Sequence, residues 1–342
     1  MTQVSLVNKG RTFIRGVIAK GIVKSGNRED IERLAASRWG DYQGREAAKA
    51  AVLPIDADDF SGGTKSEIIQ LATGRSLLQK IPGLREVPFN IRLVSMAGGA
   101  RGYFVAEGKP APLSAASIAG SSLVPTKVQG LIVATEEALL DPKSERALQK
   151  DIERPLQLTL DEAFIGSSPG IAGEIPAGIG FGATQISASG SSAEAFRNDL
   201  AAAFELYQGD IESAVLVMHP RTALSLSMLQ QPLGSASFGV RGGDLFDVPV
   251  ATSAGVTWDS SGSAITLLDA SAIAFGVGAL QLEIARHADL QMSDAPDETS
   301  GEGTVMISLW QSNLVGFKAT IYTNWEVQRP GSVVQITGVN YG

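Results

Sequence analysis

The decapeptide VAEGKPAPLS, residues 105–114, governs how the rest of the chain is read. It combines Glu107 and Lys109 with a glycine and two prolines, Pro110 and Pro112, and proline cannot join the interior of a sheet. Before it, VPFNIRLVS and RGYFVA alternate apolar and polar residues about a turn, MAGGA. After it, TKVQGLIVA reads as a returning strand. Together these predict a long two-stranded arm over residues 87–134 with its least core-like residues at the tip. Such a ribbon is marginal alone, because it has no second layer to bury its apolar face. Its cover must come from elsewhere.

Downstream, Thr135 suits the N-cap of TEEALL, and Asp141 and Pro142 suit N-cap and N1 of a long helix over residues 143–165. Leu148, Ile152, Leu156 and Leu160 form an i, i+4 stripe along it. Pro155 lies mid-way and predicts a kink in one helix; the competing reading is a boundary between two. Residues 166–184 read as a glycine-rich loop. SSAEAFRNDLAAAFELYQG then predicts a helix with a Ser191–Glu194 capping box and a face of Phe196, Leu200, Ala203, Phe204 and Tyr207. SAVLVM is a buried strand, and His219-Pro220 opens the next helix. Strands follow at VPVATS, AITLLD and AIAFGVG. LQLEIARHADLQM alternates as one strand, with Leu280, Leu282, Ile284, Arg286, Ala288 and Leu290 on one side. An acidic loop, an apolar-rich run over 305–327 and SVVQITG close the chain. Upstream, residues 11–50 read as short helices, 54–66 as a linker, and EIIQLATGRSLLQKI as a further short helix broken at Gly74. The sum is an α+β chain with one projecting arm.

Composition narrows the function. The 342 residues are 44% hydrophobic and 19% charged, enough to bury a large core. The absence of cysteine removes disulfides and thiolate metal sites and fits a reducing cytoplasm. The only histidines, His219 and His287, leave little material for zinc. No apolar run reaches the length of a spanning helix, and charges interrupt the N-terminal apolar stretch, against a signal peptide. Residues 1–50 carry 10 Lys and Arg against 5 Asp and Glu; the remainder carries 18 against 31. A basic start on an acidic body argues against a dedicated DNA binder.

Catalytic motifs are nearly lacking. GSSPG places Ser168 in a G-x-S-x-G match, with Asp269 and His287 downstream in hydrolase order. That elbow needs a strand entering and a helix leaving, whereas here a helix enters. GGTKS lacks P-loop spacing, and GIGFG (residues 178–182) follows no strand of a βαβ unit. Asp56, Asp58 and Asp59, or Asp294, Asp297 and Glu298, could hold a hard cation, but neither run has EF-hand spacing. The expectation is no catalytic, cofactor or metal site.

The order of pieces carries a resemblance. GYFVAEGKPAPLS leads into LVPTKVQGLIVATEEALLDP, then a helix closing on LDEAFIG, then IPAGI. AVLVMHPRTALSLSML is similar to a strand–(Asn/His)-Pro–helix unit, and GDLFDVPVATS to a G-x-L-x-G-x-P-V segment with Asp247 where glycine is usual. With the closing TIYTNWEVQRPGSVVQITG, the set resembles the tailed-phage major capsid proteins of the Hong Kong 97 type over about residues 85–340. The resemblance implies that fold: an N-terminal arm region (1–86), an extended β-hairpin or E-loop (87–134), a peripheral domain with a spine helix (135–165 and 276–342) and an axial domain (166–275).

It further implies a non-enzymatic protein that self-assembles through pentamers and hexamers into an icosahedral head around double-stranded DNA. Implied partners are a portal and scaffolding, protease or decoration proteins, with assembly in the host bacterial cytoplasm and no membrane. The E-loop tip, with Arg101, Glu107, Lys109, Pro110 and Pro112, would contact the next subunit, and Pro155 would kink the spine helix. Lys109 does not clearly match the position of the lysine that some relatives cross-link to asparagine. The short region before the arm implies a separate scaffold, none, or uncleaved N-terminal helices doing that work. The alternatives are an encapsulin-like nanocompartment shell and, more remotely, a Ser168 hydrolase.

Overall fold

These patterns fold into elements over residues 11–23, 28–40, 76–97, 117–140, 144–229, 237–259, 262–278, 281–293, 296 and 304–341 of the computed structural model, which are the residues the structure describes. The helices are Arg11–Ile22, Arg28–Trp39, Leu77–Lys80, Glu136–Leu140, Ser144–Ile165, Ala193–Leu206 and Pro220–Met228. The strands of the first half are β1 (Arg85–Glu86), β2 (Arg92–Ala97), β3 (Ser117–Ser122), β4 (Thr126–Thr135), β5 (Thr184–Ser187) and β6 (Ala214–Met218). Then come β7 (Ser237–Gly239), β8 (Gly242–Leu245), β9 (Val248–Thr252), β10 (Trp258–Asp259), β11 (Gly262–Asp269) and β12 (Ile273–Val277). The last are β13 (Gln281–Ala285), β14 (Asp289–Gln291), β15 (Met306–Ser308), β16 (Leu314–Val327) and β17 (Val333–Val339).

The chain forms two compact units. The first holds Met1–Ala72, Val128–Leu156 and Ala279–Ile321. In it β13 pairs antiparallel with the first half of β16, from Gln281↔Thr320 to Ala285↔Gly316, and β14 pairs with β15 as a short ribbon. The N-terminal helices belong to this unit's core: Ile18, Ala19, Ile31 and Ala35 are buried. Gly21 packs against Phe317 and Leu139, where a Cβ would stand in ordinary contact 3.4 Å from the Phe317 ring. Arg15 and Arg38 both lie over the Trp39 ring, at 5.7 and 5.4 Å, and Arg38 Nη2 donates to the Leu139 carbonyl at 3.1 Å. Part of the basic excess of residues 1–50 is therefore structural, capping the end of helix Glu136–Leu140.

The second unit holds Thr73–Lys127, Gln157–Gly278 and Tyr322–Gly342. Its sheet runs β5-β17-β11-β6-β9-β8-β7, with β10 on β11. β6 is buried at every position, as its unbroken apolar run demands. Helix Ala193–Leu206 packs Phe196, Leu200 and Ala203 into a core with Leu216, Ile265, Leu267, Val334 and Ile336. A second layer of pairing joins β1 parallel to β12 and β12 antiparallel to the second half of β16. Phe164 meets Trp325 edge-on at 5.4 Å, and Trp325 Nε1 donates to the Ala177 carbonyl at 2.8 Å.

Several expectations change in detail. The arm's return strand is β3, SIAGSS, which pairs with β2 from Arg92↔Ser122 to Ala97↔Ser117; TKVQGLIVAT, β4, pairs with β16 instead. Pro125 separates the two, and with no N–H to give a ladder it ends one pairing before the next begins. The N-cap of helix Ala193–Leu206 is Ser192 rather than Ser191: its side chain accepts from Ala195 N at 3.1 Å. Glu194 thus occupies the first turn and favours the dipole without closing a capping box. LQLEIARHADLQM splits into β13 and β14 because it changes partner from β16 to β15, although the inside–outside alternation runs through the break. Ser144–Ile165 is one helix containing Pro155, not two. Its proposed caps at Asp141 and Pro142 lie outside the described residues. Thr135 does cap the next helix, its Oγ1 accepting from Ala138 N at 3.1 Å. The closing β17, expected among the peripheral strands, is hydrogen-bonded between β5 and β11.

Candidate functional site

The arm is described at its base. Arg101, Glu107, Lys109, Pro110 and Pro112 lie outside the described residues. Below them, β2 and β3 form a sheet of their own, two strands wide. Where the ribbon begins, the chain is firmly held. Leu93 and Leu123 are buried with Val87 and Ala274, and Phe89 packs against them. A Cβ on Gly276 would come within 2.7 Å of Phe89, so only glycine lets the ring lie flat on β12. Asn324 Nδ2 donates to the Val124 carbonyl at 2.6 Å, and Thr126 Oγ1 to the Thr323 carbonyl at 2.5 Å. Ile91 and Val124 flank this anchor about half exposed. Among the described residues, the root is clamped and the ribbon it carries has no further sheet partner.

Two buried carboxylates tie the second unit together. Asp161, on the long helix, is buried and accepts from Ser76 Oγ at 2.6 Å, from Leu77 N at 2.8 Å and from Ser253 Oγ. Lys80 Nζ reaches the Thr252 carbonyl at 2.7 Å nearby. Burial pushes the Asp161 pKa up, and these donors together with the Lys80 charge only partly offset it. Asp269 is fully buried at the end of β11. It accepts from Asp210 N at 3.0 Å, Ser213 Oγ at 2.5 Å, Ser271 N at 2.9 Å and Arg329 Nη1 at 2.9 Å. Burial alone would raise its pKa, but those donors and the guanidinium hold it below the ordinary carboxylate range. Sequence reasoning missed both roles; the available signal was a carboxylate set among buried apolar positions.

The chemistry-bearing matches have structural roles of their own. Ser168 follows the helix end, and its Oγ accepts from Gly170 N at 3.3 Å. Asp269 is committed to its own network of donors. Two glycines of GIGFG serve packing: a Cβ on Gly178 would stand 2.0 Å from the Gly166 carbonyl, and one on Gly180 2.3 Å from Gln335 Nε2. His219 caps helix Pro220–Met228, Nδ1 accepting from Arg221 N at 3.1 Å. Among the described residues no group of three His, Asp or Glu could hold a metal; the Asp56 and Asp294 runs lie outside them, except for residue 296.

Among the described residues, two tryptophans are exposed. Trp258 is half exposed with Arg221 stacked over it at 4.3 Å. Trp310, in the first unit, is 68% exposed beside a cleft that contains Arg286.

The described residues form a mixed α/β fold with a clamped two-stranded ribbon. No family model matches the chain. It is 38% identical over 283 residues to the capsid polyprotein of Pseudomonas phage PAJU2, covering 80% of this chain and 42% of that protein. The chain thus spans less than half the length of this curated relative. Solved structures share the fold. One from Mycobacterium phage Cain aligns at TM-score 0.52 and 17% identity, over 84% of this chain and 97% of that one. One from Mycobacterium phage Adephagia aligns at 0.53 and 16%, over 77% and 89%. The capsid of a native GTA particle aligns at 0.51 and 13%, over 77% and 90%.

Proposed function

We propose that the chain is the major capsid protein of a tailed phage or prophage, a non-enzymatic subunit that self-assembles into an icosahedral head around double-stranded DNA. The observation that carries this is the arm: its root is locked into the second unit while β2 and β3 pair with each other alone. An exposed ribbon edge invites another chain. When the arm of each subunit lies across the next, the contact is head-to-tail, so subunits close into rings and rings into a shell. The capsid polyprotein relative and the shared fold support the reading.

In the terms of the Hong Kong 97-type fold, the arm is the E-loop within residues 87–134, helix Ser144–Ile165 is the spine of a peripheral domain and residues 166–275 form most of an axial domain. β17 then completes the axial sheet although it follows the second peripheral segment in sequence. Arg101, Glu107, Lys109, Pro110 and Pro112 meet the neighbouring subunit, the prolines blocking further strand growth and the charges fixing register. Pro155 bends the spine. Portal and scaffolding proteins, and DNA held without sequence specificity, are the remaining partners, and the mature location is the virion head.

Negative-stain microscopy after size-exclusion chromatography tests the reading. Uniform hollow shells, alone or on co-expression with neighbouring head genes, are the expected result. A protein that stays a monodisperse monomer under both conditions would overturn it.

A further inference from the structure

A cleft of about 150 Å³ lies in the first unit, lined by Glu136, Arg286, His287, Leu309, Trp310 and Asn313 among others. Strand alternation explains how an arginine comes to lie there. From Glu283 to Leu290, odd positions are exposed and even positions partly buried, which puts Arg286 in the inward register of Ile284 and Leu290. Its floor is apolar, with Leu309 and Val315 both buried.

The guanidinium is not satisfied. Nη1 stands 3.8 Å from Glu136 Oε1, beyond hydrogen-bond range, and Nε and Nη2 are buried with no hydrogen-bond partner. Nε–H and Nη2–H project in parallel from one edge of the group, the geometry that takes both oxygens of a carboxylate. Buried without a protein partner, they carry a penalty in the isolated subunit. The rim is the turn from Trp310 to Asn313, with Trp310 68% exposed and Asn313 in the left-handed region at φ 54°. Met292, Val305 and Met306 are also exposed, at the end of the β14–β15 ribbon. An exposed tryptophan beside a desolvated arginine is the composition of an interface centre.

We propose that this cleft is an intersubunit socket: an Asp or Glu side chain of a second copy of the chain enters as the Trp310 turn shifts, and pairs two-pronged with Arg286. Charge complementarity selects the occupant, because residues 51–342 carry 31 Asp and Glu against 18 Lys and Arg, leaving each copy with carboxylates in excess. The identity of the partner rests on the shell reading above.

Arg286→Lys supplies an amine at the same place, and a carbodiimide joins an amine only to a carboxylate in contact with it. Light and ¹⁵N-labelled subunits carrying Arg286→Lys are co-assembled, coupled, digested and examined by mass spectrometry. The expected product is an amide between residue 286 and an Asp or Glu peptide of the opposite isotope. Shells that yield only same-isotope links to Glu136, or no link, overturn the socket and leave the shell reading standing. A wild type that never assembles overturns both. Arg286→Met gives the second measurement: the unassembled subunit melts no lower than wild type, while the concentration for half-assembly rises about tenfold or more. An unchanged assembly curve overturns the proposal, as does a loss confined to nucleic-acid retention, which would assign the cleft to phosphate.

Discussion

Asp269 and Asp161 are both buried carboxylates, and burial drives both pKa values upward; their partners decide the outcome in opposite directions. Asp269 ends below its ordinary value of 3.8 because three donors and Arg329 favour the charged form. The stability it contributes is fully present above about pH 4 and is lost as pH falls through the lower, folded value. Asp161 ends above 3.8, so its contribution is greatest below that value and declines as pH rises through the folded one. Denaturant midpoints of dispersed subunits between pH 3 and pH 7 check the pair. Asp161→Asn removes a decline of stability with rising pH, and Asp269→Asn removes a rise. At neutral pH, Asp269→Asn also costs about 2–4 kcal/mol, since Asp210 N, Ser213, Ser271 and Arg329 are left with one acceptor oxygen in place of two and Arg329 loses its counter-charge.

The β8–β9 hairpin shows what one substitution does to an element. Its two-residue turn, Phe246-Asp247, has φ of 53° and 65°, the doubly left-handed form that suits the strand twist. That conformation is why glycine suits the position of Asp247, noted from the sequence alone, and aspartate is among the few other residues that tolerate it. Asp247→Gly should raise stability by up to about 1 kcal/mol, read as a higher melting temperature of the unassembled subunit. Pro155 is exposed within helix Ser144–Ile165, and Pro155→Ala restores a backbone donor there, for a gain of about 1–3 kcal/mol; a fall in stability would show that the surrounding fold requires the proline. Elements of strong local character were legible in the sequence: SAVLVM, AITLLD, the helix of Phe196 and Leu200, and the His219-Pro220 entry. β3 and β5 were not, because SIAGSS and TQIS have little strand preference of their own and owe their form to the neighbours they pair with. Of the site, a two-stranded ribbon between residues 87 and 134 was legible, though its return strand is SIAGSS and not TKVQGLIVA, whereas Asp161, Asp269 and Arg286 show their roles only once folding has removed them from water.

At the scale of the molecule, folding and assembly separate cleanly. Replacing residues 98–116 with a two-residue turn should leave the base pairing of β2 and β3 intact, and with it the melting temperature to within about 2–3 °C, yet abolish closed shells under the microscope. Shells of normal size from that variant would show that the arm is dispensable. The same separation holds in time, through the position of β17. This strand is made after β5, β6 and β11, but it lies between β5 and β11 in the finished sheet. Until residues 333–339 emerge from the ribosome, β5 lacks its partner β17 and one edge of β11 stays open, so closure of the sheet waits for β17. A polypeptide cut short before Val333 lacks the strand on which Val334 and Ile336 bring the core together. In the shell proposed above, a chain lacking β17 would thereby be kept from becoming a subunit, a form of quality control written into the order of the strands.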